Sequence, residues 1–300
     1  MRFATFTTSA TSEPMLGVLV NDTTVINLPA ALRGTVDVPA RLIDYVWAGP
    51  ELHAKVRAAV EGRTDWPADV SYALSDVTLR APLRPGKVIG VGLNYVEHVE
   101  ESSRSLDTDK DLPTRPVLFS KPGTAVVGPH EPIQHNGAMT QQLDWECELA
   151  VVMGRVARNV SESDALNYVF GYSIMNDISA RDQRRSGQWF FSKGQDSYAP
   201  FGPIIVTTDE ITNPHTLQLT LDVNGDPRQN GNSKNMLFKI ETLIADITSG
   251  VTLEPGDVIS TGSPQGVGAA MTPPTFLQPG DVVTCNIERI GTLSNPVVAV

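Results

Sequence analysis

The segment Asp144-Trp145-Glu146-Cys147-Glu148-Leu149-Ala150-Val151-Val152-Met153 constrains this chain most, because it joins three acids to a stretch with no polar side. On an extended strand, successive side chains point to opposite faces. Asp144, Glu146 and Glu148 then share one face, and Trp145, Cys147, Leu149, Val151 and Met153 the other. From Leu149 onward both faces are apolar, which implies burial. Three acids at the mouth of such a strand repel one another, and each is costly to desolvate unpaired. Two readings stand at this point: a solvated polar face on an edge strand, or a site for a hard divalent cation. Carboxylate oxygens suit Mg²⁺, Mn²⁺ or Ca²⁺. A further acid, Asp177, ends the apolar stretch Ile174-Met175-Asn176. Taken alone, it fits a turn or helix N-cap as well as a ligand.

Around this segment the chain divides in character. Residues 1–75 read as a small α+β unit. Gly17-Val18-Leu19-Val20 and Thr24-Val25-Ile26 flank Asn21-Asp22, a hairpin pattern, and a helical stretch runs from about Pro39 to Glu61 with a break at Gly49-Pro50. The Pro/Gly-rich Ala81–Gly86 lies close to the expected boundary, and residues 76–300 are expected to form a larger, β-rich α+β domain. Its strands are expected at Val88–Gly92, Val117–Ser120, Asp144–Met153 and Phe170–Met175. Helix starts are expected at the capping-box pattern Ser161-Glu162-Ser163-Asp164 and over Phe238–Thr248, closed by Gly250. Glu254-Pro255-Gly256-Asp257 is echoed by Gln278-Pro279-Gly280-Asp281, and each Pro-Gly predicts a type II turn.

Bulk properties narrow the function classes. The formal charge of -11 favours a soluble protein and argues against general binding to nucleic acid or anionic membranes. No apolar run approaches the roughly 18 residues of a membrane span. Two cysteines, Cys147 and Cys285, lie in strand-like apolar segments. They read as small core residues in a reducing cytoplasm, not as a disulfide framework. Gly90-x-Gly92 lacks the rest of a dinucleotide fingerprint, and Thr261–Gly268 lacks the Lys-Ser/Thr of a P-loop. His53, His130, His135 and His215 belong to no constellation and read as structural or surface residues.

Taken in order, the motifs resemble the fumarylacetoacetate hydrolase family. Gly90-Val91-Gly92-Leu93-Asn94-Tyr95-Val96-Glu97-His98 is similar to its opening motif, followed by Phe119-Ser120-Lys121-Pro122 and the acidic strand Asp144–Val151. Asn176-Asp177-Ile178-Ser179-Ala180-Arg181-Asp182, Lys193-Gly194, Pro200-Phe201-Gly202-Pro203 and the glycine-rich Thr261–Gly268 complete the set. The resemblance runs from about Val88 to the C-terminus at near-standard spacing.

The resemblance implies a catalytic domain of rolled mixed β-sheets, usually homodimeric. It also implies an Mg²⁺ or Mn²⁺ ion (Ca²⁺ being possible in crystals) held by Glu146, Glu148 and Asp177. The substrate would be a small 2-oxo acid, and Lys193 would carry the active-site ammonium. His98 and Glu101 match a water-activating dyad, the glutamate orienting the imidazole. The alternative for that pair is a surface contact on the polar segment 100–115, whose composition also suits a lid. Lys121, Arg181, Arg184 and Thr261 are candidate substrate contacts.

The first expectation for the reaction is hydrolysis of a carbon–carbon bond in an acylpyruvate, as in aromatic catabolism. Decarboxylation of oxaloacetate or isomerisation of a 2-oxo diacid at the same site is the alternative, since fold and metal site do not fix the reaction. A non-catalytic small-acid-binding protein is the remote one. Arg184 departs from the family pattern, standing where a glutamine is common; its guanidinium would suit a second substrate carboxylate.

Overall fold

The computed structural model describes residues 1–96, 112–184 and 187–300. The strand Cys147–Met153 is the axis of a large mixed sheet. It pairs antiparallel with Val169–Asn176 on one side and Val258–Ser260 on the other. Val88–Gly92 adds parallel to Val258–Ser260, and Val117–Lys121 closes that edge. On the far side, Ala199–Thr207 is followed by the N-terminal strands Arg2–Thr8, Thr11–Leu19, Thr24–Asn27 and Ser71–Ala73. A second sheet of five strands carries the C-terminal strands Val282–Ile287 and Gly291–Ala299.

Burial of the axis strand on both faces follows from its sequence. Cys147, Leu149, Val151 and Met153 enter one apolar cluster, with Leu219, Ile244 and Cys285 from the second sheet and its helix. Ala150 and Val152 enter another, with Phe3, Phe201 and Val258. Each fully buried aliphatic side chain contributes about 1.5–3 kcal/mol relative to exposure. That preference fixes the register, because a one-residue slip would put Glu148 among the aliphatics. In the observed register Leu149 faces Ile174 and Cys147 faces Asn176, which leaves Asp177 one step beyond, beside Glu146. Both cysteines are free and buried.

Local expectations are met where short-range chemistry decides. Thr11–Leu19 and Thr24–Asn27 form the hairpin, and the helices Leu42–Trp47 and Gly49–Val60 flank the expected break. Ile240–Gly250 is an α-helix that buries Ile240, Leu243, Ile244 and Ile247, a stripe at helical spacing. Two expectations need correcting. The capping-box pattern at Ser161 opens only the 3₁₀ turn Ala165–Tyr168, because Val169–Asn176 is drawn into the sheet immediately after it. The acidic strand is also not continuous: Leu143–Asp144 pairs with Ser179–Ala180 as a separate ribbon, and Cys147–Met153 resumes after a break at Trp145-Glu146. Among the described residues no helix is long and apolar enough to cross a membrane.

The two Pro-Gly echoes are the same device at two depths. Gly256 and Gly280 have φ of 85° and 100°, as the third residue of a type II turn requires. Asp257 N donates to Glu254 O and Asp281 N to Gln278 O, both at 3.0 Å, closing each turn. Each aspartate carboxylate then accepts from the backbone amide three residues back, at 2.7 Å and 2.8 Å. Asp257 is buried and additionally accepts from Lys87 N at 2.8 Å, tying the turn to the strand start at Val88. Asp257→Ala therefore leaves two amides unsatisfied and should cost about 1–3 kcal/mol in denaturant unfolding. Asp281→Ala, at a more exposed turn, should cost less than about 1 kcal/mol. Equal losses would contradict the assigned role of Asp257.

Candidate functional site

The break at Trp145-Glu146 sorts the acids into two groups. Glu146 N donates to Asn176 Oδ1 at 3.1 Å and Cys147 N to Gln229 Oε1 at 2.8 Å, so side chains replace ladder partners there. Asp144 consequently does not join the other acids. Its carboxylate accepts from Trp145 N at 2.8 Å, Gly268 N at 2.7 Å and Ala269 N at 3.0 Å, and from Arg181 Nε at 2.9 Å. Gly268 is required for this approach: a Cβ there would lie 2.0 Å from Thr275 O and 2.8 Å from Asp144 Oδ1.

Glu146, Glu148 and Asp177 do come together, with ligand atoms all within 4.8 Å of one another, and all three are buried. Asp177 N donates to Glu146 O at 2.8 Å, locking the two strand ends. Arg181 Nη2 donates to Glu146 Oε1 at 2.7 Å. Lys193, at the end of the short helix Phe190–Lys193, donates from Nζ to Glu146 Oε2 and Asp177 Oδ2, each at 2.5 Å. Lys121 lies behind Asp177. Its ammonium donates to the carbonyls of Ile178, Lys193 and Tyr198 and sits 2.6 Å from Asp177 Oδ1. Its charge and proximity hold that oxygen, while its three carbonyl partners keep the ammonium behind the triad.

Glu148 is the unbalanced member. Its Oε2 accepts from Ser260 Oγ at 2.5 Å and Gly262 N at 3.0 Å, and no lysine or arginine among the described residues forms an ion pair with it. Burial, then the charges of Asp177 and Glu146, push its pKa well above the usual carboxylate range. Burial also raises Asp177, against the pull of Lys121 and Lys193. Lys193 is held up: burial disfavours its charge, but Asp177 and Glu146 outweigh it. Burial lowers Lys121, with Asp177 opposing. Three buried carboxylates presented to one point, one of them without an ion-pair partner among the described residues, fit a hard divalent ion with an oxygen donor set.

Glu146 and Glu148 open on a pocket walled by Gly92, Arg181, Arg184, Trp189, Lys193 and Ser263, with Asp177 buried behind them. Of the substrate contacts expected from the sequence, Arg181 and Arg184 line it. Lys121 and Thr261 do not; the Thr261 hydroxyl donates to Leu149 O at 2.8 Å. His98 and Glu101 lie outside the described residues, as does most of the segment 100–115. Sequence reasoning passed over Ser260 and Asn176, which hold Glu148 and the backbone of Glu146. Their signal was a polar side chain at the end of a buried strand, which must find a partner. A larger cleft, with Met15, Arg41, Arg84 and Thr124 on its walls, holds no acidic triad among the described residues.

The fumarylacetoacetate hydrolase C-terminal family model matches residues 87–298. The chain is 38% identical over 303 residues to oxaloacetate tautomerase fahd2, mitochondrial, of Xenopus laevis, covering 99% of this chain and 90% of the relative. It is 38% identical over 291 residues to oxaloacetate tautomerase YisK of Bacillus subtilis, covering 94% and 95%. A solved fumarylacetoacetate hydrolase from psychrophilic Exiguobacterium antarcticum matches at a TM-score of 0.82 and 36% identity, over 100% of both chains. The structure of maleylpyruvate hydrolase from Sphingobium sp. SYK-6, in complex with manganese(II) and pyruvate, matches at 0.78 and 28% identity, over 100% and 99%. With the ordered motifs, the acidic triad and these matches in agreement, the chain belongs to the fumarylacetoacetate hydrolase family of enzymes.

Proposed function

We propose that this enzyme uses a divalent ion, Mg²⁺ or Mn²⁺, to catalyse keto–enol chemistry on a small 2-oxo diacid, with oxaloacetate as the first substrate to test. The observation that carries the reading is the buried triad Glu146, Glu148 and Asp177, two of whose members, Glu146 and Glu148, open on a pocket with Lys193 in its wall. The two relatives named oxaloacetate tautomerase support this reaction class over the carbon–carbon hydrolysis that the sequence put first.

Glu146, Glu148 and Asp177 would hold the ion. When bound, it supplies Lewis acidity to the oxygens of the 2-oxo acid end. The chain's own residues do the rest. Arg181 fixes the Glu146 carboxylate from one side, and Ser260 Oγ with Gly262 N fix Glu148 from the other. Lys193, whose charge Asp177 and Glu146 favour, stands beside the triad, where it stabilises negative charge growing on the substrate's 2-oxo oxygen. The proton at C3 is assigned to His98, with Glu101 orienting the imidazole, on the strength of the motif that begins at Gly90. In tautomerisation this base takes a proton from carbon; in hydrolysis it would take one from water. Hydrolysis of an acylpyruvate is the second reading, supported by the likeness to the maleylpyruvate hydrolase structure.

Two measurements test the proposal. Enol–keto interconversion of oxaloacetate, followed in the ultraviolet, should be abolished by EDTA and restored by Mg²⁺ or Mn²⁺, with kcat/KM above that for acylpyruvate hydrolysis. Full turnover by metal-free protein would sink the metal assignment, and a preference for acylpyruvates would move the second reading to first. His98→Ala should lower kcat by about 10²–10⁴-fold while leaving metal affinity nearly intact. A large fall in affinity with kcat preserved would show that His98 is a ligand and not the base.

A further inference from the structure

We propose that Arg184 selects for dicarboxylates by receiving the substrate carboxylate remote from the 2-oxo acid end. This rests on the reading of the triad as the site that holds the 2-oxo acid end. Three cations line the pocket: Arg181, Arg184 and Lys193. Arg181 is spent on Asp144 and Glu146, and Lys193 on Glu146 and Asp177. Arg184 forms no ion pair with any acid among the described residues. Burial, and then the neighbouring charge of Arg181, press its pKa down against the more distant pull of Glu146, so an incoming carboxylate relieves an existing cost.

Charge accounting gives the same result. The triad contributes three negative charges; a bound dication with Lys121 and Lys193 contributes four positive. Asp144 and Arg181 cancel each other. One net positive charge remains, which matches one substrate carboxylate. A second carboxylate needs another cation, and Arg184 is the one on the wall without an acid partner among the described residues.

Arg184 is held in place for this role. Its guanidinium lies 4.6 Å over the Trp189 ring, and that indole packs against Phe119 with centroids 5.4 Å apart. The two aromatic rings rest on the strand Val88–Gly92 at its two glycines. A Cβ at Gly90 would lie 2.1 Å from the Phe119 ring, and one at Gly92 would lie 2.4 Å from Trp189. The Gly90-x-Gly92 pair is therefore the bed on which Phe119 and Trp189 rest, with Arg184 over the indole. Contact with the indole holds the guanidinium at the pocket wall before substrate arrives, and a lysine there would lack the two-pronged fork.

The test compares Arg184→Gln and Arg184→Lys with the parent enzyme on two matched pairs. For turnover the pair is oxaloacetate and its 4-methyl ester; for calorimetric binding to the Mn²⁺-loaded protein it is malate and its 4-methyl ester. Melting temperatures show that each variant is folded. The parent should prefer the diacid in both pairs. Arg184→Gln should shrink both preferences by about tenfold or more, as expected for loss of a charge-assisted hydrogen bond. Arg184→Lys should recover only part of them. Unchanged preferences in a folded Arg184→Gln protein, or full recovery by lysine, would overturn the inference while leaving the proposed function standing. A parent enzyme that neither turns over nor binds any of the four compounds would overturn the proposed function itself.

Discussion

Four carboxylates, Asp144, Glu146, Glu148 and Asp177, are gathered at the ends of two buried strands, and the surrounding structure is arranged around the cost of that crowding. An isolated ionised carboxylate in a protein interior costs several kcal/mol even after relaxation. Each acid here is answered differently. Asp144 is neutralised by Arg181 and three amides, and Asp177 and Glu146 share Lys193. Among the described residues, Glu148 has a hydroxyl and an amide but no ion-pair partner. The imbalance at Glu148, more than the number of acids, makes a dication the natural completion of the site.

The fold supplies what this chemistry needs by fixing backbone before side chains. The aliphatic register of Cys147–Met153 against Val169–Asn176 sets Asp177 beside Glu146. The break at Trp145-Glu146 turns Asp144 away to hold Arg181, which in turn holds Glu146. An acid that would have crowded the triad thereby becomes a positioning residue for Glu146.

Much of this was legible in the sequence, for physical reasons that can be named. Alternation and the apolar run exposed the acidic strand and its burial. Pro-Gly exposed the turns at Gly256 and Gly280, and the ordered motifs exposed the family. Long-range pairing was not legible. Asp144 looked like a companion of Glu146 and Glu148 because nothing local announces a strand break that depends on Asn176 and Gln229, far away in sequence. Ser161-Glu162-Ser163-Asp164 carried a true helix-start pattern, but the pull of the sheet on Val169–Asn176 left room for a single 3₁₀ turn. Lys121 looked like a substrate contact until its neighbours placed three carbonyls around the ammonium. Gly90-x-Gly92 had a motif but no mechanism until the rings of Phe119 and Trp189 were seen against it.

The claim on which everything else depends is that the triad is completed by one divalent ion, with Glu148 as an indispensable ligand. Calorimetric titration of Mn²⁺ into EDTA-stripped protein tests it without reference to any substrate. The account predicts saturable binding of one ion per chain, weakened by about tenfold or more in a folded Glu148→Gln variant. Failure of the folded parent protein to bind Mn²⁺, or equal affinity in Glu148→Gln, would contradict it.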